Sequence, residues 1–286
     1  MIEGNYDRLL KSVARGFFGG PRTVGLLFRP KEAIEGLSSR HLLKRLFLRI
    51  VSHLPNVRIV TILPFDIEPA FAKLASGWIY DPQMWDLTLL ERPIAPNSDL
   101  FLRVKETANG RPVVVSLGAQ NTGKGFDYFT KIWCDSSIIR SRFLFVAAGQ
   151  VASKSKTLAG EFQSNGGCLL DRHLEPFELF SLYEIANLVW SCYSPTYDQA
   201  SGIYGRALQL GRPVAVREGS YLARLSQQLN HEVVPIRFED TAYATQALLS
   251  ASSLVSAPSP TVIAPQAYEL RRRSLSGLRN AFGIEE

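Results

Sequence analysis

The chain has 286 residues, of which 46% are hydrophobic and 20% charged, a balance that excludes a disordered, collagen-like or coiled-coil protein. No apolar run reaches the roughly 18 residues that span a bilayer, and three scattered cysteines without CxxC spacing argue against a disulfide scaffold or a structural zinc site. The whole net charge of +6 falls on the first 55 residues, which hold ten Lys and Arg and four Asp and Glu. A localised basic surface attracts nucleic acid, lipid headgroups or phosphorylated substrates.

The first 63 residues predict a basic amphipathic helix followed by a β–α–β unit. The helix covers residues 5–18 and stops at a Gly-Gly-Pro run. A strand at 23–28, a helix capped by Ser38 or Ser39, and a strand at 57–63 follow. In the second helix Leu43, Leu46, Phe47, Ile50, Val51 and Leu54 make an apolar stripe, with Arg40, Lys44, Arg45 and Arg49 off it. Both helices fit either an amphipathic cover over a core or a surface for anionic lipid. Residues 66–111 predict a less regular layer.

From residue 112 the pattern alternates regularly between strands and helices. Strands are predicted at 113–117, 143–148, 188–193, 213–216 and 233–236, and helices at 126–135, 176–185, 203–210, 221–228 and 241–251. This order predicts a parallel sheet covered on both faces, which binds ligands at the carboxyl ends of its strands. A last helix at 265–282 carries three consecutive arginines, which we interpret as a solvated face.

A glycine-rich loop joins the first strand of this second half to its helix. It reads Gly118-Ala-Gln-Asn-Thr-Gly-Lys-Gly125, and such a turn offers backbone N–H groups, a helix N-terminus and the Lys124 charge to an anion. The loop nearly matches the Walker A pattern, but Gly125 stands where a magnesium-binding Ser or Thr is needed. A phosphate site, a P-loop NTPase and a plain strand–helix turn are the alternatives that this loop leaves open.

The residues after the loop resemble those of a known enzyme family over residues 112–225. The similarity rests on Lys124-Gly125, on residues 145–149 and 170–180, and on the order Tyr197-Asp198, Ser201-Gly202, Arg206 and Gly211-Arg-Pro-Val214. Together they resemble the donor domain of the large retaining family of GT-B glycosyltransferases. The resemblance implies an α/β fold of two Rossmann-like domains, with an abbreviated N-terminal domain because only about 110 residues precede the loop. It divides the chain into a basic segment (1–21), an acceptor-side domain (22–111), a donor domain (112–264) and a C-terminal helix (265–286).

The resemblance also implies the site residues. Donor diphosphate would be bound by Gly118, Gln120, Asn121, Gly123, Lys124 and Arg206. The sugar and nucleotide would be bound by Glu178, Ser201 and Gly202, although Ser201 also fits a simple helix cap. Asp198 matches the family's sugar-contacting glutamate, and Asp81 or Asp86 is a candidate general base for the acceptor.

Two departures from the family pattern concern charge. Ala119 stands where the family has an arginine, and Arg206 where it has a ribose-binding glutamate, a role that a donor-only guanidinium cannot fill. Arg206 either takes over the missing charge at the diphosphate or is an ordinary surface or ion-paired arginine.

The function implied is transfer of a sugar from a nucleoside diphosphate sugar to a saccharide or lipid-linked acceptor in surface polysaccharide assembly. The enzyme would be retaining, would need no metal or other cofactor, and would work in the cytoplasm, with peripheral contact to anionic lipid on the inner face of the membrane. Nucleic acid is not an expected partner. Alternatives are a non-catalytic GT-B-like subunit that needs a partner chain, and the P-loop-like NTPase.

Overall fold

The computed structural model of the chain describes residues 2, 5–36, 38–91, 94–251 and 262–284. The chain forms two compact units. The first unit comprises Met1–Thr88 with Pro265–Glu286, and the second unit comprises Leu89–Ala264. The expected division after residue 111 lies inside the second unit, because the helix at Ser98–Ala108 packs there against the helix at Pro176–Ile185. Residues 252–261, at the end of the expected donor domain, lie outside the described residues.

The first unit contains a three-stranded parallel sheet in the order β1-β2-β3. Its first elements are α1 (Tyr6–Phe17), β1 (Thr23–Leu27), α2 (Pro30–Glu35), α3 (Ser39–Ser52), β2 (Val57–Thr61) and β3 (Gly77–Trp78). The predicted β–α–β unit is therefore present, and Ser38 caps α3 by accepting a hydrogen bond from the His41 N–H. Leu9 and Val13 of α1 join the core with Leu27 and Ile59 of the sheet.

Helix α3 turns only part of its predicted apolar stripe toward the core. Of that stripe Val51 is buried, whereas Leu43, Leu46 and Ile50 are exposed to solvent. Leu48, which lies outside the predicted stripe, is buried as well. Core covering was one of the two interpretations of this stripe, and Leu43, Leu46 and Ile50 take no part in it. The physical reason is that α3 carries apolar residues on two opposite sides, and periodicity alone cannot tell which side faces the sheet.

The second unit contains a six-stranded parallel sheet in the order β6-β5-β4-β7-β8-β9. The strands are β4 (Val113–Leu117), β5 (Leu144–Ala148), β6 (Cys168–Leu170), β7 (Leu188–Ser191), β8 (Val214–Arg217) and β9 (Val233–Ile236). The helices are α4 (Ser98–Ala108), α5 (Phe126–Asp135), α6 (Ser137–Arg142), α7 (Lys156–Ser164), α8 (Pro176–Ile185), α9 (Gly202–Gln209), α10 (Tyr221–Gln228) and α11 (Thr241–Ser250). Counted from β4, the strand order is the 3-2-1-4-5-6 of a Rossmann sheet.

The C-terminal helix α12 (Pro265–Phe282) completes the first unit, where it contacts all three strands. The Ser274 hydroxyl is buried and accepts a 3.1 Å hydrogen bond from the Tyr80 N–H. Arg271 donates to the Thr88 carbonyl. Arg272 and Arg273 are exposed and pair with Glu269, so these two form the predicted solvated face. Among the described residues, no helix combines the length and the apolar character needed to cross a membrane.

Acidification should weaken the second unit through one histidine. His231 packs edge-on against Tyr204, and burial lowers the pKa of its ring to about 4. The unfolded chain, with a histidine pKa of about 6.5, binds the proton first. The contribution of His231 to the free energy of unfolding should therefore be fully present above about pH 6.5 and fall by about 3 kcal/mol as the pH drops to 4. Urea unfolding across this range should show a shallower fall in His231→Gln. His173→Gln, which alters an exposed histidine, should keep the wild-type slope, and equal slopes in all three proteins would contradict the assignment.

Candidate functional site

The strand order of the second unit reverses between β4 and β7, and polar loops follow both strands at their carboxyl ends. In open α/β sheets this reversal point is where ligands bind, because the two loops diverge and leave a crevice. We call residues 118–125, after β4, the glycine-rich loop, and residues 192–201, after β7, the β7 loop. Helix α5 begins at the end of the first and α9 at the end of the second, so two helix N-termini follow the loops at this edge.

Gly125 fits its place only because it has no side chain. Its φ is +72°, and a Cβ on it would lie 2.1 Å from the Cys192 carbonyl oxygen. A serine or threonine at this position would have to displace the backbone of the β7 loop. The magnesium-binding hydroxyl of a Walker A loop is therefore incompatible with this backbone, which argues against the P-loop NTPase alternative.

The glycine-rich loop is held by its own side chains. Gln120 is 1% exposed, and its amide donates to the carbonyls of Ser116 and Gly118 while accepting from the Ser116 hydroxyl. Asn121 accepts a 2.9 Å hydrogen bond from the Lys124 N–H. Gln120 and Asn121, two of the predicted diphosphate ligands, thus hold the loop in its conformation through these hydrogen bonds. The other predicted ligands of the loop are Gly118, Gly123 and Lys124.

Two tyrosines of the β7 loop hold the Lys124 side chain. The Lys124 ammonium lies 4.3 Å from the ring centroid of Tyr193 and 4.4 Å from that of Tyr197, and the two rings meet edge-on. We call Tyr193 and Tyr197 the tyrosine pair. The Ser194 N–H also donates to the Gly123 carbonyl. Cation–π attraction and this backbone bond fix the one lysine of the glycine-rich loop against the β7 loop.

Sequence reasoning missed the tyrosine pair, and it also missed Asp127. The Asp127 carboxylate accepts hydrogen bonds from Thr122 at 2.6 Å and from Ser155 at 2.8 Å, so it joins the glycine-rich loop to the start of α7. The available signal was an aspartate in the first turn of α5, which favours a role at a helix N-terminus but does not reveal the distant Ser155.

Asp198 and Ser201 organise the β7 loop and the start of α9. Asp198 lies 3.0 Å from the Arg217 guanidinium at the end of β8 and accepts from the Tyr221 N–H. The Ser201 hydroxyl caps α9 and hydrogen bonds with the Tyr193 hydroxyl at 2.7 Å. Gly202 is the first residue of α9. The adjacent Ile203 side chain lies against Gly118, which brings this helix N-terminus to the glycine-rich loop.

Arg206 lies against helix α8, and Glu178 lies in the first turn of that helix. The Arg206 guanidinium sits over the Phe180 ring at 5.8 Å, one turn beyond the start of α9. Both Glu178 carboxylate oxygens accept from Arg172, at 2.6 and 2.8 Å, and one also accepts from the Glu175 N–H. These bonds lower the pKa of Glu178 to about 2. Glu178 is therefore ionised at neutral pH, and its bond to the Glu175 N–H orders the start of α8. The sequence did not indicate the contact between Glu178 and Arg172.

Asp81, the candidate base, belongs to the first unit. It is buried and accepts a 3.0 Å hydrogen bond from the Gln83 N–H, which caps the short helix Pro82–Met84. Asp86 lies at the start of the next short helix, Asp86–Leu89. Over the part of the chain that the structure describes, no three His, Cys, Asp or Glu side chains are grouped closely enough to hold a metal ion.

No protein-family model matches the chain, and no curated protein matches it either. Solved structures do. WaaG, a glycosyltransferase involved in lipopolysaccharide biosynthesis, superimposes with a TM-score of 0.59 at 17% identity over 98% of this chain and 81% of its own. Anabaena HepE, solved with UDP and glucose, gives 0.57 at 11% identity over 93% and 71%. The trehalose 6-phosphate synthase of Burkholderia multivorans gives 0.52 at 12% identity over 92% and 70%.

The chain has the GT-B fold. The prediction of two parallel-sheet domains of GT-B type is confirmed, and so is the small first domain, which has three strands among the described residues against six in the second. In this GT-B chain the glycine-rich loop, Lys124 and the start of α9 lie at the strand-order reversal of the second sheet. At identities below 20% these superpositions show the fold alone, and the chemistry has to be argued from the site itself.

Proposed function

We propose that this chain is a glycosyltransferase that moves a sugar from a nucleoside diphosphate sugar to a saccharide or lipid-linked acceptor, in surface polysaccharide assembly. The observation that carries the proposal is the Lys124 ammonium, fixed by the tyrosine pair beside the glycine-rich loop. The GT-B fold supports it, because the structural neighbours WaaG and HepE are a glycosyltransferase and a protein solved with UDP and glucose.

The chemistry we propose uses charge rather than a cofactor. When the bond from the anomeric carbon to the diphosphate breaks, negative charge collects on the departing phosphate oxygens. Lys124 and the N-termini of α5 and α9 supply positive potential there without any reorganisation, because their positions are fixed before the donor binds. An acceptor hydroxyl attacks the same carbon with retention of configuration, and neither a metal ion nor a cofactor takes part.

The remaining predicted residues have roles in this scheme. Asp198, tied to Arg217, would accept hydrogen bonds from the donor sugar, and Ser201 with Gly202 would present the α9 N-terminus to it. Arg206 would add a second positive charge for the diphosphate, and Glu178 would support the nucleotide side through the segment that it orders. Asp81 would take the acceptor proton.

A panel of free nucleotides tests the proposal. A ligand that binds only the folded protein raises stability by RT ln(1 + [L]/Kd), about 2.7 kcal/mol at a hundredfold excess over Kd. We expect UDP or one other nucleoside diphosphate to raise the melting temperature by several degrees, with and without Mg²⁺. The matching monophosphate should give a much smaller shift. Equal shifts for mono- and diphosphates, or none for any nucleotide, would overturn the proposal.

A non-catalytic GT-B-like subunit is the second candidate, favoured by Ala119 and Arg206, which replace an arginine and a glutamate of the family pattern. Such a subunit would bind the nucleoside diphosphate. Given a UDP-sugar and a saccharide or lipid-linked acceptor, it would release no UDP until a partner chain is added. Steady UDP release by the chain alone would exclude it.

A further inference from the structure

Helix α3 of the first unit presents an apolar face to solvent. Leu42, Leu43, Leu46 and Ile50 are 49%, 67%, 57% and 57% exposed. Leu42, Leu46 and Ile50 follow one another at four-residue steps, so with Leu43 they form a continuous row. Leu48 on the opposite side is fully buried. We call these four exposed residues the outward stripe. Soluble proteins rarely leave such a contiguous apolar row uncovered, and those that do use it for binding.

Positive charge surrounds the outward stripe. Residues 39–52 include no Asp or Glu, and Arg40 and Arg49 of α3 are exposed. At the C-terminal end of the stripe Ile50 borders a surface depression with Arg49, His53 and Lys73. The other two cations of α3 contact the protein itself, since Arg45 donates to the Ala33 and Ile34 carbonyls and Lys44 lies over the Tyr6 ring. An apolar row with cations beside it matches the boundary between acyl chains and phosphate headgroups.

The geometry points to an anionic lipid membrane as the occupant of the outward stripe. The four apolar side chains would enter the headgroup–acyl boundary, and Arg40, Arg49 and Lys73 would meet lipid phosphates. A symmetric contact between two copies is disfavoured, because it would bring the same arginines of both copies together in a region that carries the whole net charge of +6. The inference is independent of the donor site and of the proposed reaction.

Vesicle co-sedimentation of the full chain tests the inference. We expect binding to phosphatidylcholine vesicles that contain about 30% phosphatidylglycerol, weak binding to phosphatidylcholine alone, and loss of binding at high salt. The double variant Leu43→Ser/Leu46→Ser should bind about tenfold more weakly. Arg49→Gln/Lys73→Gln should also bind about tenfold more weakly and lose most of the salt dependence. The melting temperature of each variant, measured alongside, should match that of wild type because the changed side chains are exposed.

The second unit supplies a matched control. Leu102 and Ile138 are 51% and 50% exposed on α4 and α6, and Leu102→Ser/Ile138→Ser should bind vesicles as wild type does. The inference is overturned if wild type binds neither vesicle, if it binds both equally, or if the stripe variant binds as wild type. It is also overturned if the chain sediments as a dimer that Leu43→Ser/Leu46→Ser dissociates, since the stripe would then join two copies. UDP-induced stabilisation should be equal in all variants, which separates this result from the fate of the proposed function.

Discussion

Replacing Gly125 with serine should strongly destabilise the second unit, although the change completes the Walker A sequence pattern. The new Cβ would lie 2.1 Å from the Cys192 carbonyl oxygen, at a φ of +72°. Overpacking against a backbone atom and a left-handed conformation both oppose folding, and we expect a loss of about 3–5 kcal/mol. Urea unfolding followed by tryptophan fluorescence would measure it, because Trp190 lies next to Gly125 in the core.

Gly211 provides the control that separates strain from collision. Its φ is +62°, and a Cβ there would meet no atom within 4 Å. Gly211→Ser should therefore lose only about 1 kcal/mol, the cost of the backbone conformation alone. A Gly125→Ser protein that is as stable as Gly211→Ser and hydrolyses ATP with Mg²⁺ would revive the NTPase alternative.

Replacing Lys124 with methionine should weaken binding of UDP about 30-fold while leaving the fold intact. Methionine keeps an unbranched side chain that can pack against the tyrosine pair, so the charge and its cation–π attraction are lost while the apolar contact remains. A charge-assisted contact to phosphate is worth about 1.5–3 kcal/mol, which sets the size of the effect. Isothermal titration with UDP, at low and high salt, would measure the change in Kd.

Lys131 on α5, the helix that follows the glycine-rich loop, is exposed, and Lys131→Met changes the net charge equally. It should bind UDP within about twofold of wild type, since an exposed charge away from the ligand is largely screened. Equal affinities of Lys124→Met and wild type would remove Lys124 from the site and, with it, the main support for the proposed function.

Much of the second unit could be predicted because its strands and helices alternate with clear punctuation. The strand at 113–117 and the helices at 126–135 and 176–185 are observed at their predicted positions. Strand β6 was not predicted, because three residues are too short to show a period of two. Helix α4 was also missed, and its apolar face becomes evident only from its packing against α8.

The glycine-rich loop could be located from the sequence, but the contacts made around it could not. The glycine-rich loop and Lys124 follow from local sequence, whereas the tyrosine pair reaches Lys124 from a loop far along the chain, and only the fold brings them together. The same holds for Arg172 at Glu178 and for Arg217 at Asp198. The side of α3 that faces the core could not be predicted either, because leucines that face water and leucines that face a core have the same spacing.

The return of α12 to the first unit affects how this protein is made. The second unit is one uninterrupted segment, so none of its internal contacts depends on a residue that is synthesised after Ala264. The first unit does depend on later residues. Tyr80 and Thr88 form hydrogen bonds with Ser274 and Arg271, which are synthesised after the whole second unit. The sheet of the first unit therefore lacks one of its covering helices until synthesis has passed residues 89–264 and reached α12.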